Sequence, residues 1–507
     1  MQKSRTKNSA RNVAIAMISK ILYLIINFIC RTIFIKILGT EYLGINGLFT
    51  NVLTILSFAE LGIGNAIIFK LYKPIAEEDH ERIKTLLNFY KRVYFFIGIF
   101  ILCCGLAVIP FMKFIINENV SIKENLSFIY FLFLLNTVIS YFFTYKKSII
   151  TGYQQEYIIN LIDLIVFIIQ SIIQIVLLNI THNYIAYLIT LICSTCISNI
   201  IIGIIADKMY PYIKEKKYKK ISKDEQKSIF RDVKSLMVYK IGYTLSNGTD
   251  NIIISSFLGV VKVGLLSNYT MISSAITTLL STAFNSLTAS IGNLNTINEE
   301  KKKEDVFYQI LFLSFVVYGY IATAMSLLLN RFIILWIGIE YVLAINISIA
   351  LGFNLYIDGM RFVNYTFRNT AGLFKKGRLL PLISSIANIV LSVILVQYIG
   401  MFGVLIATGL TRLFILTWYD PYMIHKYVFK SSSKRYYITY LLYLIILIFN
   451  YIVNWKLLNM MNINGIVGFI LCGLLITQMT FIIFFITTFR LKEVKEVFNR
   501  IKQIIKR

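Results

Sequence analysis

Charge is scarce in this chain. Only 15% of its 507 residues are charged, against 57% that are hydrophobic, whereas a soluble domain carries about 25% charged residues. That shortage excludes an ordinary soluble enzyme. The longest polar stretch, residues 207–234, is too short to fold as a separate soluble domain. Histidine is scarcer still. The three present (His80, His182, His425) fall in predicted loops, which excludes a zinc site in the apolar segments. Six cysteines are scattered along the chain. Cys193 and Cys196 form a CxxC on an apolar helix, whereas a redox pair needs an exposed, electropositive setting, so both read as packing residues. No Walker lysine motif occurs, so nucleotide-driven chemistry has no site. No metal and no cofactor is expected.

What fills the chain instead is a succession of about fourteen apolar segments of roughly 20 residues, the length that crosses a bilayer core as a helix. Mean hydropathy is +0.71. Backbone amides in lipid must be paired within their own segment, so each segment must be helical. The expected fold is all-α: a polytopic integral membrane protein with two pseudo-symmetric six-helix lobes and two extra helices. The expected organisation is an N-terminal lobe at 1–206, a basic linker at 207–234, a C-terminal lobe at 235–420, helices 13 and 14 within 421–489, and a basic tail at 490–507. The first span, 12–37, is basic and then apolar. It is too long for a signal peptide and lacks a small-residue cleavage site, so it is expected to be retained as a helix.

The net charge of +26, from 51 Lys and Arg against 25 Asp and Glu, could suggest nucleic acid, but its distribution argues against that. Of the basic residues, 39 fall in alternate loops on the side of the N-terminus and 6 on the other. This is the positive-inside pattern of a membrane protein. It predicts both termini in the cytoplasm, an even number of spans, and a basic tail lying against anionic membrane lipids.

A gapless repeat with an offset of 220 residues relates predicted spans 1 and 7. Lys20, Tyr23 and Asn27 match Lys240, Tyr243 and Asn247; Leu38, Gly39 and Gly44 match Leu258, Gly259 and Gly264. Six spans separate the copies, so both run the same way through the membrane, a common transporter plan.

Charges inside a bilayer are costly and usually mark function. Lys20, Asn27 and Arg31 stand at i, i+7 and i+11, on one helical stripe with Lys20 and Arg31 about 16 Å apart along the axis. Lys240, Asn247 and Asn251 repeat the stripe, with Asp250 beside it. The two stripes are expected to face each other across the gap between lobes. The competing reading is snorkelling of Lys20, Lys240 or Arg31 to the membrane surface. Glu60 lies in a Gly-rich stretch of span 2 (45–72), as a protonatable switch, the partner of a cavity cation, or half of a fixed ion pair. Asp358 and Arg361 at i, i+3 are expected to pair with each other. Arg412 has no local partner in sequence, which favours a cavity-facing role. Asp163 reads as a solvated helix end. Together Lys20, Arg31, Lys240, Arg361 and Arg412 outnumber Glu60, Asp250 and Asp358, and a net positive interior suits an anionic, phosphate-bearing substrate.

The stretch from Arg31 through Leu-Gly-Thr-Glu-Tyr-Leu-Gly-Ile-Asn-Gly-Leu-Phe49, continuing to Leu56-Ser-Phe-Ala-Glu-Leu-Gly-Ile-Gly-Asn-Ala-Ile67, resembles the start of bacterial polysaccharide flippases. Tyr398-Ile-Gly-Met-Phe-Gly-Val-Leu-Ile-Ala-Thr408 is similar as well. These flippases are the O-antigen and capsule repeat-unit translocases of the multidrug/oligosaccharidyl-lipid/polysaccharide exporter superfamily. The resemblance implies a transporter, not an enzyme, in the bacterial cytoplasmic membrane. Its substrate would be an undecaprenyl-pyrophosphate-linked oligosaccharide, moved outward by alternating access for surface polysaccharide biosynthesis. Polysaccharide polymerase and glycosyltransferases are the implied partners. Related lipid flippases carry basic residues on helix 1 in the cavity, which Lys20 and Arg31 match by position. Lys20, Arg31, Lys240 and Arg412 would then hold phosphate, Asn27, Asn247 and Asn251 would bond phosphate or sugar hydroxyls, and Arg361 would line the same cavity. The alternative is an ion-coupled multidrug antiporter of the same architecture, which needs an essential carboxylate such as Glu60 or Asp250. A membrane-embedded glycosyltransferase or polymerase finds few acids in the short outer loops.

Overall fold

The computed structural model describes residues 2–497 except 61–62, 117–121, 143, 216–220, 223, 225, 228, 230–244, 246–247, 296–298, 374–376, 378 and 462–464. The described residues hold helices and turns and no strand. Two compact units emerge, Met1–Gly264 and Leu265–Arg507.

In the first unit the helices are α1 (Gln2–Leu38), α2 (Thr40–Leu56), α3 (Ile63–Ala76), α4 (His80–Val108), α5 (Leu126–Phe142), α6 (Thr144–Gly152), α7 (Glu156–Thr181), α8 (Tyr184–Met209) and α9 (Asp250–Leu258). The unit boundary falls early in α10 (Val260–Asn285). Local chemistry sets the ends. Asp79 caps α4 by accepting from the Arg82 amide at 2.9 Å. Asn183 caps α8 by accepting from the amides of Ile185 and Ala186, satisfying donors a helix start leaves open. α1 packs on α7, α7 on α8, and α5 on both α4 and α8.

The second unit holds α11 (Thr288–Asn295), α12 (Glu300–Trp336), α13 (Ile345–Thr370), α14 (Leu380–Thr411), α15 (Thr417–Ile424), α16 (Lys434–Met460) and α17 (Gly465–Thr488). α12 and α13 approach closely where α13 has glycine. A Cβ on Gly352 would lie 2.2 Å from Ser326 Oγ, and one on Gly359 2.0 Å from the Tyr318 ring. α14 folds back on itself at Ile399–Gly400. Its two arms are pinned by Asn388 donating to Thr408 Oγ1 at 3.0 Å, the small-and-polar interface that replaces hydrophobic burial inside lipid. α16 and α17 dock on α12 through Leu327, Leu458, Cys472 and Ile476.

Burial is inverted relative to a soluble protein. Ile165, Ile169, Ile172, Val176 and Ile180 of α7 face outward, while Ser384, Ser385, Asn388 and Ser392 of α14 are buried. Among the described residues nine helices are long and apolar enough to cross a membrane, or ten if the bent pair α5–α6 is one span. Every predicted span except the seventh has a helix or helix pair at its place, and of the seventh only its end is described, as α9.

Three predicted elements differ. Span 2 is two helices, because a 3-10 turn at Ser57–Glu60 breaks it. Span 4 bends by 44° between α5 and α6. Spans 11 and 12 are joined without a loop, at a kink where Gly400 has φ +60°.

Candidate functional site

α1 runs unbroken from Gln2 to Leu38, so the stripe geometry of Lys20, Asn27 and Arg31 holds. Lys20 and Asn27 are exposed and Arg31 is half-buried, beside the Tyr187 hydroxyl of α8. The stripe lies on the side of α1 away from Ile21, Ile25 and Ile29, whose exposed side chains form its apolar face. Lys240 and Asn247 lie outside the described residues. Asn251 sits on α9 against α2, its amide within 3.9 Å of where a Cβ on Gly47 would stand. Asp250 is the first residue of α9.

Glu60 closes the 3-10 turn that breaks span 2. Its carboxylate neighbours Gly64 and the hydroxyls of Tyr94 and Tyr141. The sequence places Gly62 and Gly64 just after it, and glycine weakens a helix. Asp163 is not the solvated helix end expected from sequence. It accepts from Ser198 on α8 and faces Lys147 at 3.6 Å.

In the second unit Asp358 on α13 is shared by two arginines. Arg361 approaches one oxygen at 3.4 Å, and Arg412 donates to the other. Arg412, which has no partner nearby in sequence, finds one across 54 residues. It opens a π-helical turn, Arg412–Leu416, at the end of α14, an irregularity frequent at functional sites. The group carries two positive charges against one negative, and the buried Nε of Arg361 has no acceptor among the described residues.

Sequence reasoning missed three features. Arg368, counted as a loop cation, is buried with Asp420 at 2.5 Å, with side chains 4% and 8% exposed. His425, expected in a loop, is buried in a helical turn between the Pro421 carbonyl (2.8 Å) and the Tyr308 hydroxyl (3.2 Å). No local pattern announces either contact. The third had a signal. Asn46, Thr50, Thr54 and Ser57 repeat at i, i+4, i+8 and i+11 of a mostly apolar segment. In the structure they line a cavity of about 270 Å³ with Asn136 and Thr137 of α5.

The sequence model of one family, described as "Polysaccharide biosynthesis protein", matches residues 9–288. The chain belongs to the polysaccharide biosynthesis protein family. Solved structures place this family member in the fold of the MOP-superfamily transporters. An inward-facing multidrug resistance MATE family transporter aligns with TM-score 0.63 at 16% identity, covering 80% of this chain and 95% of that one. The lipid II flippase MurJ, in an inward closed conformation, aligns with TM-score 0.63 at 16% identity over 94% of this chain and 99% of that one. A MOP-superfamily transporter from Pyrococcus furiosus aligns with TM-score 0.52 at 16% identity, over 84% and 97% of the two chains. No curated protein matches in sequence. The polysaccharide biosynthesis protein is thus a multi-pass membrane protein with the fold of these transporters.

Proposed function

We propose that the protein translocates undecaprenyl-pyrophosphate-linked oligosaccharide repeat units from the inner to the outer leaflet by alternating access, for O-antigen or capsule synthesis. The observation that carries this reading is an excess of intramembrane cations in a polysaccharide biosynthesis protein. Two guanidiniums share Asp358, and Lys20 and Arg31 share one stripe of α1 with Asn27. Guanidinium and ammonium donors bind the oxygens of a pyrophosphate. The polyprenyl tail would stay in lipid while the headgroup crosses. By the offset of 220 residues, Lys240 and Asn247 would repeat the roles of Lys20 and Asn27, with Asn251 beside them. A polymerase and glycosyltransferases would act on either side of this step. The membrane is then the bacterial cytoplasmic membrane, with both termini inside, and the two six-helix repeats are those expected at 1–206 and 235–420.

Glu60 favours a second reading, an ion-coupled multidrug antiporter, because a carboxylate at a helix break beside two tyrosines is suited to proton exchange. One experiment separates the two. A deletion strain is complemented with wild type, Lys20→Ala or Arg31→Ala, with membrane levels of each checked. The flippase reading expects surface polysaccharide to be lost and lipid-linked repeat units to accumulate in the deletion and in both variants. Intact export with raised drug sensitivity in the deletion would establish the antiporter instead.

A further inference from the structure

Among the described residues no cation lines the cavity between α2 and α5, which argues against a phosphate site. Asn46, Thr50 and Thr54 from α2, Ser57 from the 3-10 turn that follows it, and Asn136 and Thr137 from α5 give it amides and hydroxyls, and Phe133, Leu53 and Leu191 give it an apolar wall. The hydroxyl protons are largely spent on backbone. Thr54 donates to Thr50 O at 2.7 Å, Ser57 to Leu53 O at 2.8 Å and Thr137 to Phe133 O at 3.0 Å. Their oxygens keep lone pairs to offer as acceptors. Asn136 is oriented from behind. Its Oδ1 accepts from Thr195 of α8 at 2.7 Å, which leaves its NH2 group as donor.

The hydroxyl oxygens and the Asn136 NH2 group keep hydrogen-bonding capacity beyond these contacts, so an open cavity lined by them suits a ligand that supplies both donors and acceptors. No acid is among the described lining residues, which disfavours a cationic drug. The polarity disfavours a lipid tail. The volume is below the about 300–1,000 Å³ of drug-sized pockets. A neutral sugar ring fits each condition, with hydroxyls at its edge and C–H groups on its face for Phe133.

We propose that this cavity holds one uncharged sugar of the lipid-linked oligosaccharide, and so selects repeat units by sugar. The proposal rests on the flippase reading above. The test uses the purified full-length protein in lipid nanodiscs. Two lipids are compared for binding: undecaprenyl pyrophosphate carrying the host's own repeat unit, and the same lipid without sugar. Wild type is expected to prefer the glycosylated lipid by about tenfold, the worth of one or two neutral hydrogen bonds. Asn136→Leu and Thr54→Val are expected to bring that ratio close to one, while Thr54→Ser, which keeps the hydroxyl, retains it. A full preference in Asn136→Leu and Thr54→Val overturns the sugar site and leaves the flippase reading standing. Binding of neither lipid by wild type overturns the flippase reading, and the sugar site with it.

Discussion

At the residue scale the buried pair Arg368–Asp420 and the shared carboxylate Asp358 call for different experiments. Both side chains of the first pair are nearly inaccessible, so removing one strands a charge in low dielectric. Arg368→Ala is expected to cost about 3–5 kcal/mol, and replacing both residues by apolar ones to recover most of it. The melting temperature of the detergent-solubilised protein reads both. Asp358 differs because it is 42% exposed and holds two arginines. Arg412→Ala leaves Arg361 on it, so the fold is expected to persist while export falls by about tenfold, the loss of one charge-assisted hydrogen bond. Outside the spans, the Lys84 ammonium at 2.6 Å holds the Glu215 carboxyl below the usual carboxylate range. A depressed pKa stabilises above the unfolded value and is lost as pH falls through the folded one. Stability of wild type is therefore expected to fall more steeply than that of Glu215→Gln below about pH 4.5. The sequence made Asp358, Arg361 and Arg412 visible as outliers in apolar segments, and the i, i+3 spacing of the first two matches the contact the structure holds. It could not pair Arg412 with Asp358 or Arg368 with Asp420, because those contacts join positions 54 and 52 residues apart.

At the scale of elements, the repeated Leu-Gly-x4-Gly is the clearest case of a motif read in sequence and explained by packing. Gly39 and Gly259 both have φ +88° with nearly extended ψ, a conformation open only to glycine, and a Cβ on Gly39 would meet open space. Gly44 and Gly264 have the other reason. A Cβ on Gly44 would lie 2.1 Å from the Val260 carbonyl oxygen, and one on Gly264 2.2 Å from that of Thr40. Val260 is Thr40 shifted by the same 220 residues, so the start of α2 meets the start of α10 as a symmetric pair. Alanine at Gly39 is expected to cost about 1–3 kcal/mol as local strain. Alanine at Gly44 or Gly264 must push two backbones apart, since carbonyl oxygens cannot turn away like a side-chain tip. It is expected to lower the yield of folded protein more, and Gly44→Ala with Gly264→Ala to be less than additive, because both open one crossing. Solubilised yield and melting temperature check this. Hydropathy also foretold most spans, but not the breaks. The turn at Ser57–Glu60 and the kink at Ile399–Gly400 lie inside apolar runs, and hydropathy has no term for backbone direction.

At the scale of the whole molecule, the question is what drives a cycle with no nucleotide site. A cytoplasmic membrane is negative inside, so carrying an anion outward is favoured by about 2.3 kcal/mol per charge per 100 mV. The pyrophosphate of the proposed substrate therefore moves downhill electrically. Arginines and lysines that held it, as proposed, would limit the charge carried, because each cation that moved with the substrate would cancel part of it. A proton exchanger working through Glu60 draws instead on the pH gradient. The two sources come apart in inverted membrane vesicles loaded with lipid-linked repeat units. Valinomycin with potassium removes the potential at a fixed pH gradient, and nigericin does the reverse. If the substrate's own charge drives the cycle, valinomycin slows translocation, nigericin leaves it nearly unchanged, and Glu60→Gln still translocates. If nigericin stops it and Glu60→Gln is dead, the carboxylate at the break in span 2 is the coupling group, and the cations serve binding alone.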